Sequence, residues 1–435
     1  MTVNIKHLIE KNKEEFYKDL DNVMQIESVK GAPLDNAPFG IGPKQALELV
    51  MKIASDYGFK TNIVNDAVGY AQFGEGDDYI GIVGHLDVVP AGDGWTFPPF
   101  KLSKKDERLY GRGVLDNKGP IMSCLFGLKL LKDMGIKPIK PIRIIFGTDE
   151  ESGSSDLPLY LAEETAPIFA FTPDCKYPVV YGERGIVNYT ISTHFDANKL
   201  QNLTIKGDQS SAHVPDELTA IFQEESYHVL GKRSPSNAPE LGKNAITILA
   251  AKLSSNKEIS DQLRCYFSWI EESFSEKHYG EGIGLDFEDE DSGKLILTPY
   301  ELTVKQNTIQ LSIAIRYPVS TKEEEVTEQL HKVVPKESEI KIIRQLKSTS
   351  FPKDDTNVKK LSEVYEKITG LDGTPVTTTG ATYARFFPNT VAFGPSFPGQ
   401  KGIAHNSDEY MDEKDLLLNM EIYMEAILTL ACDKK

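Results

Sequence analysis

Cysteine is scarce in this chain. There are four in 435 residues, Cys124, Cys175, Cys265 and Cys432, and no two stand in C-x-x-C spacing. That argues against a disulfide framework and against a thiolate zinc site, and it fits a reducing compartment, so a cytoplasmic protein is expected. Long apolar runs are missing too. No stretch reaches the ~18 residues that a membrane span needs, and no membrane partner is expected. Positive charge is in deficit, with 48 Lys and Arg against 65 Asp and Glu, a formal net charge of -17. A surface that acidic repels a phosphate backbone, which sets nucleic acid aside as a partner. Internal repeats and low-complexity tracts are absent as well, which leaves an ordinary globular chain long enough for two or three domains.

What is present is an α/β pattern interrupted once. Apolar residues recur at helical spacing over His7–Met24 and again over Lys44–Tyr57. Short, near-continuous apolar runs follow at Tyr79–Val83, Ile142–Phe146 and Ile168–Phe171, with a helix expected over Gly119–Met134 between the first two. Buried strands of a mixed or parallel sheet read this way. After Asp174 the character changes. Alternating strands such as Ile186–Ile191 and Thr308–Ile315 mix with helices expected over Asn244–Lys252, Glu258–Glu272 and Glu323–Val333. From Phe351 the α/β flavour returns, with a helix over Asn357–Thr369, a strand over Thr390–Phe393 and a helix over Glu413–Ala431. The expected architecture is a discontinuous α/β catalytic domain, residues 1–181 and 347–435, with an α+β domain of residues 182–346 inserted in it. The acidic run Asp286–Asp291 reads as a solvated loop.

Chemistry-bearing residues gather where open α/β sheets keep their sites, just past strand ends. Gly84-His-Leu-Asp-Val-Val89 follows the first strand, and in extended chain His85 and Asp87 share a face, imidazole as a ligand and carboxylate as the group that orients it. In Gly111-Arg-Gly-Val-Leu-Asp-Asn-Lys-Gly-Pro120, glycines allow a tight turn and Asp116 stands just before a helix. Gly147-Thr-Asp-Glu-Glu-Ser-Gly153 offers adjacent glutamates, one free to coordinate and the other to act as a base. Pro173-Asp174 follows the third strand. Far downstream, Ala404-His-Asn-Ser-Asp-Glu-Tyr410 carries one of only eight histidines. Each segment alone is commonplace; the five in this order are hard to attribute to chance. Oxygen ligands with imidazole suit Zn, Mn or Co. Five ligands are about right for two metals sharing a bridging carboxylate, roughly 3.5–4 Å apart and able to activate a water.

These five segments resemble the aminoacylase, carnosinase and carboxypeptidase superfamily of co-catalytic zinc peptidases, and within it the bacterial dipeptidases of the PepV type. The resemblance spans nearly the whole chain, including Pro239-Glu-Leu-Gly-Lys-Asn-Ala245, Arg316-Tyr-Pro318, Ala381-Thr-Tyr-Ala-Arg385 and Val391-Ala-Phe-Gly-Pro395. It implies two zinc ions. His85 and Asp174 bind one, Glu151 and His405 the other, and Asp116 bridges them. Asp87 orients His85, Glu150 is the general base, and Arg316 holds the carboxylate of a small peptide substrate. The insert becomes a lid domain, and a monomer is expected. In one place the chain departs from the pattern. Related lids carry a histidine, an oxyanion donor, shortly before the Pro-Glu-x-Gly-x-Asn-Ala stretch, and here Pro235 fills that slot. His213, His228 and Asn237 are the candidates to replace it. Three readings follow: a dipeptidase; an N-acyl amino acid deacylase or small carboxypeptidase with the same metal chemistry; or a peptide-binding protein of low turnover.

Overall fold

The strand Ile80–His85 (β3) lies in the middle of the largest sheet, and every one of its six residues is buried. It runs parallel to Ile142–Gly147 on one side and to Phe169–Thr172 on the other, with His85 level with Gly147 and Ile82 level with Phe171. Side chains of a strand alternate between faces. Ile80, Ile82, Ile142, Ile144 and Phe146 therefore enter one core, while Tyr79, Val83 and Ile145 enter another on the opposite face. Both faces being covered explains why these strands read as continuous apolar runs.

We describe a computed structural model, which covers residues 4–196, 200 and 203–432. The chain divides into two units, one of Met1–Tyr181, Phe351–Val376 and Gly380–Lys435, the other of Gly182–Ser350 and Thr377–Thr379. In the first, the sheet runs Lys60–Val64 (β1), Val68–Phe73 (β2), Ile142–Gly147, β3, Phe169–Thr172, Thr390–Phe393 and then Val179–Glu183. The four strands in the middle are mutually parallel, and β1, β2 and Val179–Glu183 pair antiparallel at the two margins. Helices Ile5–Met24 (α1), Lys118–Asp133 (α3), Thr356–Thr369 and Glu413–Ala431 contribute to the larger core. This is the expected α/β class. Helix Ile41–Asp56 (α2) begins three residues before the expected Lys44, because Gly40 turns the chain at φ 99° and Pro43, in the first turn, has no N–H to leave unpaired. The hairpin β1–β2 stands where no strand was expected; its turn residues Asn65 and Asp66 both have positive φ.

The second unit is α+β. A four-stranded antiparallel sheet, in the order Ile296–Lys305, Thr308–Tyr317, Gly185–His194 and Ser338–Leu346, shares a core with helices Ala245–Ser254, Asp261–Phe274 and Glu323–Val333. A separate three-stranded sheet comprises Thr204–Lys206, Glu217–Phe222 and Glu225–Leu230. The helix expected from Glu258 starts instead at Asp261, where the Ser260 hydroxyl caps it by accepting from Leu263 N. The acidic run is more ordered than a solvated loop. Glu288–Asp289 pairs with Gly293–Lys294, and the Asp289 carboxylate accepts hydrogen bonds from Ser292 and Ser320. Among the described residues no helix is long and apolar enough to cross a membrane.

Candidate metal centre

Three neighbouring parallel strands each deliver a turn to the same place. β3 ends in His85; Ile142–Gly147 leads into the one-turn 3-10 helix Glu150–Ser152; Phe169–Thr172 leads to Asp174. Asp116 arrives from the turn before α3. Gly113 in that turn has φ 93°, a conformation that suits glycine. His405 comes from the loop before Tyr410–Asp412, a strand that pairs with Arg108–Tyr110.

The ligand atoms fall into two groups joined by one carboxylate: His85, Asp116 and Asp174 form the first, and Asp116, Glu151 and His405 the second. Asp116 Oδ1 lies 3.0 Å from His85 Nε2, and Asp174 Oδ2 lies 3.5 Å from that nitrogen. The other oxygen of Asp116, Oδ2, lies 3.0 Å from His405 Nε2, and Glu151 Oε1 is also 3.0 Å from His405 Nε2. Two ligands each 2.0–2.1 Å from a tetrahedral ion stand about 3.3 Å apart, so this spacing fits a metal in each group. All donors are imidazole nitrogen or carboxylate oxygen, which suits zinc or manganese. Thus His85, Asp116, Glu151, Asp174 and His405 are brought together. Glu150 is in neither group, although it adjoins Glu151.

The charges are crowded. Burial, and then the charge of Asp116, pushes the Asp174 carboxyl up to about 7. Burial and Asp174 hold Glu150 well above the usual carboxylate range, and burial and Asp116 raise Glu151. Burial works against the charge on Asp116, but hydrogen bonds with His405 and His85 outweigh it and hold its pKa low. Hydrogen bonds to Asp116 and Glu151 push His405 up to about 11. Burial opposes the charge on His85, yet Asp174 and Asp116 raise it well above its usual value. Protons here do the work that cations do better: four crowded, partly buried carboxylates need positive charge among them. His85 is 0% exposed and His405 52%, so the second group is the one reached from solvent.

The supporting hydrogen bonds differ in part from expectation. His85 Nδ1 lies 2.9 Å from the Asp87 backbone carbonyl and 3.5 Å from its carboxylate. The Asp87 carboxylate also accepts from Glu150 N (3.2 Å) and Glu151 N (3.1 Å), holding the glutamate turn against β3. Four further residues were not anticipated. Asn117 Oδ1 accepts from His85 N and its Nδ2 donates to the Pro173 carbonyl, tying the turns of His85 and Asp174 together. Asp156 Oδ2 accepts from Thr148 N, Asp149 N and the Tyr383 hydroxyl. Gly147 makes room for that hydroxyl, since a Cβ there would fall 1.9 Å from it. Glu409, fully buried, accepts from the Asp116 loop. Two signals existed in the sequence: Glu409 lies four residues after His405, and Tyr383 lies inside Ala381–Arg385.

In the inserted unit, Arg316 sits on Thr308–Tyr317 and its Nη1 donates to the Thr379 carbonyl at 2.6 Å. Pro235 faces His213 across an isolated antiparallel bridge. The buried His213 Nε2 has no hydrogen-bond partner among the described residues, and the Asp208 carboxylate lies 3.8 Å from it. His228 is half exposed on Glu225–Leu230, and Asn237 Nδ2 donates to Thr379 Oγ1 at 3.3 Å.

A discontinuous α/β domain with two ligand groups sharing one carboxylate is the build of a metallopeptidase, and the chain belongs to peptidase family M20/M25/M40, which it matches over residues 81–429. It is 33% identical to the Beta-Ala-Xaa dipeptidase of Lactobacillus delbrueckii subsp. lactis, over 100% of both chains. Among solved structures it is similar to human carnosine dipeptidase 1, with a TM-score of 0.64 at 16% identity over 98% of both chains. It is also similar to the di-peptidase Dug1p of Saccharomyces cerevisiae, with a TM-score of 0.61 at 16% identity over 97% of both.

Proposed function

We propose that this protein is a cytoplasmic, monomeric dipeptidase that uses two divalent cations, zinc in the first instance with manganese or cobalt as substitutes. The observation that carries the reading is Asp116, whose two oxygens face two separate ligand groups while Glu150 belongs to neither. Two cations held there supply Lewis-acid polarisation of the scissile carbonyl and of the attacking water.

The chain's own residues do the rest. Glu150, its backbone held by Asp87 and its carboxyl raised chiefly by burial, takes the proton of the water and hands it to the leaving amine. Arg316, whose Nη1 donates to the Thr379 carbonyl, is assigned to the substrate carboxylate because a planar guanidinium suits a two-point contact. The inserted unit is the lid in this reading. Dipeptides are the favoured substrate because the relative matched over the full chain bears a dipeptidase name.

The test is a panel of dipeptides, tripeptides and N-acetyl amino acids assayed with added zinc or manganese. Turnover confined to dipeptides is expected. Preferential cleavage of N-acetyl amino acids would replace the reading by a deacylase, and zero turnover with retained metal by a binding protein.

A further inference from the structure

The turn that presents Asp116 is fastened by a residue outside both ligand groups. Glu409 is 0% exposed, and so cannot trade its partners for water. Its Oε1 accepts three backbone N–H bonds, from Gly113 at 3.0 Å, Leu115 at 2.9 Å and Asp116 at 3.1 Å. Its Oε2 accepts from Arg112 Nη1 at 2.6 Å, and Arg112 is 1% exposed. Arg112 in turn reaches towards the carbonyls of Pro90 and Ala91 and packs its guanidinium over the Trp95 ring. The backbone closes the circle, with Gly111 N donating to the Glu409 carbonyl. Directly after Glu409, Tyr410 pairs with Tyr110, and Asp408 just before it accepts from Thr96 N.

A carboxylate that gathers three N–H donors of one turn dictates the direction of that turn, as a phosphate does in a backbone nest. Here the last of the three belongs to Asp116 itself. Because Glu409 lies on the loop that also bears His405, one side chain locks the relative placement of two ligands of the solvent-reached group. We propose that Glu409, held by Arg112, is a positioning residue for metal binding: it sets the Gly111–Asp116 turn so that the two oxygens of Asp116 face the two ligand groups. The pair takes no part in the chemistry, and Glu409 meets Asp116 at its backbone N–H, not at its carboxylate oxygens. Asp87 fastens the Glu150–Glu151 turn in the same manner, by accepting consecutive backbone N–H bonds.

The proposal rests on the two-metal reading above, and the experiment separates the two. Hydrogen exchange of segment 109–117 is measured on metal-free wild type, Glu409→Ala and Glu409→Gln, and zinc or manganese affinity is then measured on the same proteins by calorimetry. Exchange of the segment should be faster in Glu409→Ala, and metal affinity should fall about 10–100-fold, the usual effect of removing a group that orients a ligand. Glu409→Gln keeps an acceptor oxygen and should lose less. KM for a dipeptide at saturating metal should stay within about twofold of wild type, because the substrate contacts are untouched. If Glu409→Ala does not fold, Glu409→Gln carries the test, with an affinity loss of about threefold or more expected. Unchanged exchange in the segment, or unchanged metal affinity in a folded variant, would overturn the proposal. A wild type that binds no metal would instead remove the two-metal reading, and that result appears before any variant is examined.

Discussion

Loading the centre with metal should expel protons, and the crowding of its carboxylates sets their number. At pH 7 in the metal-free protein His405, pushed up to about 11 by its hydrogen bonds to Asp116 and Glu151, carries a proton. So does His85, which Asp174 and Asp116 hold well above its usual value although burial opposes it. Asp174, raised to about 7 chiefly by burial, is half protonated. Imidazole and carboxylate bind metal only when deprotonated, so protons leave as both groups fill, and affinity for the pair rises with pH near neutrality. The stability of the metal-free protein follows the same groups. Asp174 ionises less readily folded than unfolded, so its contribution is complete below pH 3.8 and lost as pH rises through about 7. A shift of that size corresponds to at most about 4 kcal/mol. His405 gains a partner, so its contribution persists well above neutrality and is lost only towards pH 11. The assay is calorimetric titration of metal-free protein at pH 7 in two buffers of different ionisation enthalpy, whose difference in heat counts the protons. Repeating it at about pH 6 and 8 gives the slope. No proton release, or an affinity flat across that range, would refute the arrangement of charges described here.

Three substitutions probe the division of roles. Glu150→Gln should retain both metals and lower kcat by about 10²–10⁴-fold, the range for removing a general base; metal analysis and turnover on one preparation check it, and activity within tenfold of wild type would exclude the role. Arg316→Ala should raise KM for free dipeptides by about 10–100-fold, as expected for a lost charged hydrogen bond, and leave KM for C-terminal amides nearly unchanged. Equal effects on both would make Arg316 structural. His213→Ala should lower kcat by about 10²–10³-fold with little change in KM if its imidazole, whose Nε2 accepts or donates no hydrogen bond among the described residues, takes the role of the oxyanion donor that the Pro235 slot lacks, and Pro235→His should then be neutral. A rise in kcat for Pro235→His with no loss for His213→Ala would reverse that assignment.

Much of the site was legible because its chemistry is tied to local pattern. A buried parallel strand is a continuous apolar run, its end is marked by glycine, and the residue past that end points to the open edge of the sheet; His85, Glu150, Glu151 and Asp174 were found by that rule. Asp116 was visible through the glycines of its turn, and His405 mainly because histidine is rare in this chain. The α/β class, the insertion and the periodic helices follow from the same short-range information. Other features depend on pairing between distant segments. The β1–β2 hairpin was not foreseen, and nothing local tells that β2 lies beside Ile142–Gly147 rather than beside β3. Which nitrogen faces which oxygen of Asp116, and the reach of the Asp87 carboxylate to the Glu150 and Glu151 amides as well as towards His85, are matters of distances below 4 Å between residues up to 289 positions apart. Glu409 is the clearest case. In the sequence it is one acid among 65 Asp and Glu. Only burial, which removes water as an alternative partner, makes its hydrogen bonds to Gly113, Leu115 and Asp116 decisive, and burial is a property of the assembled fold.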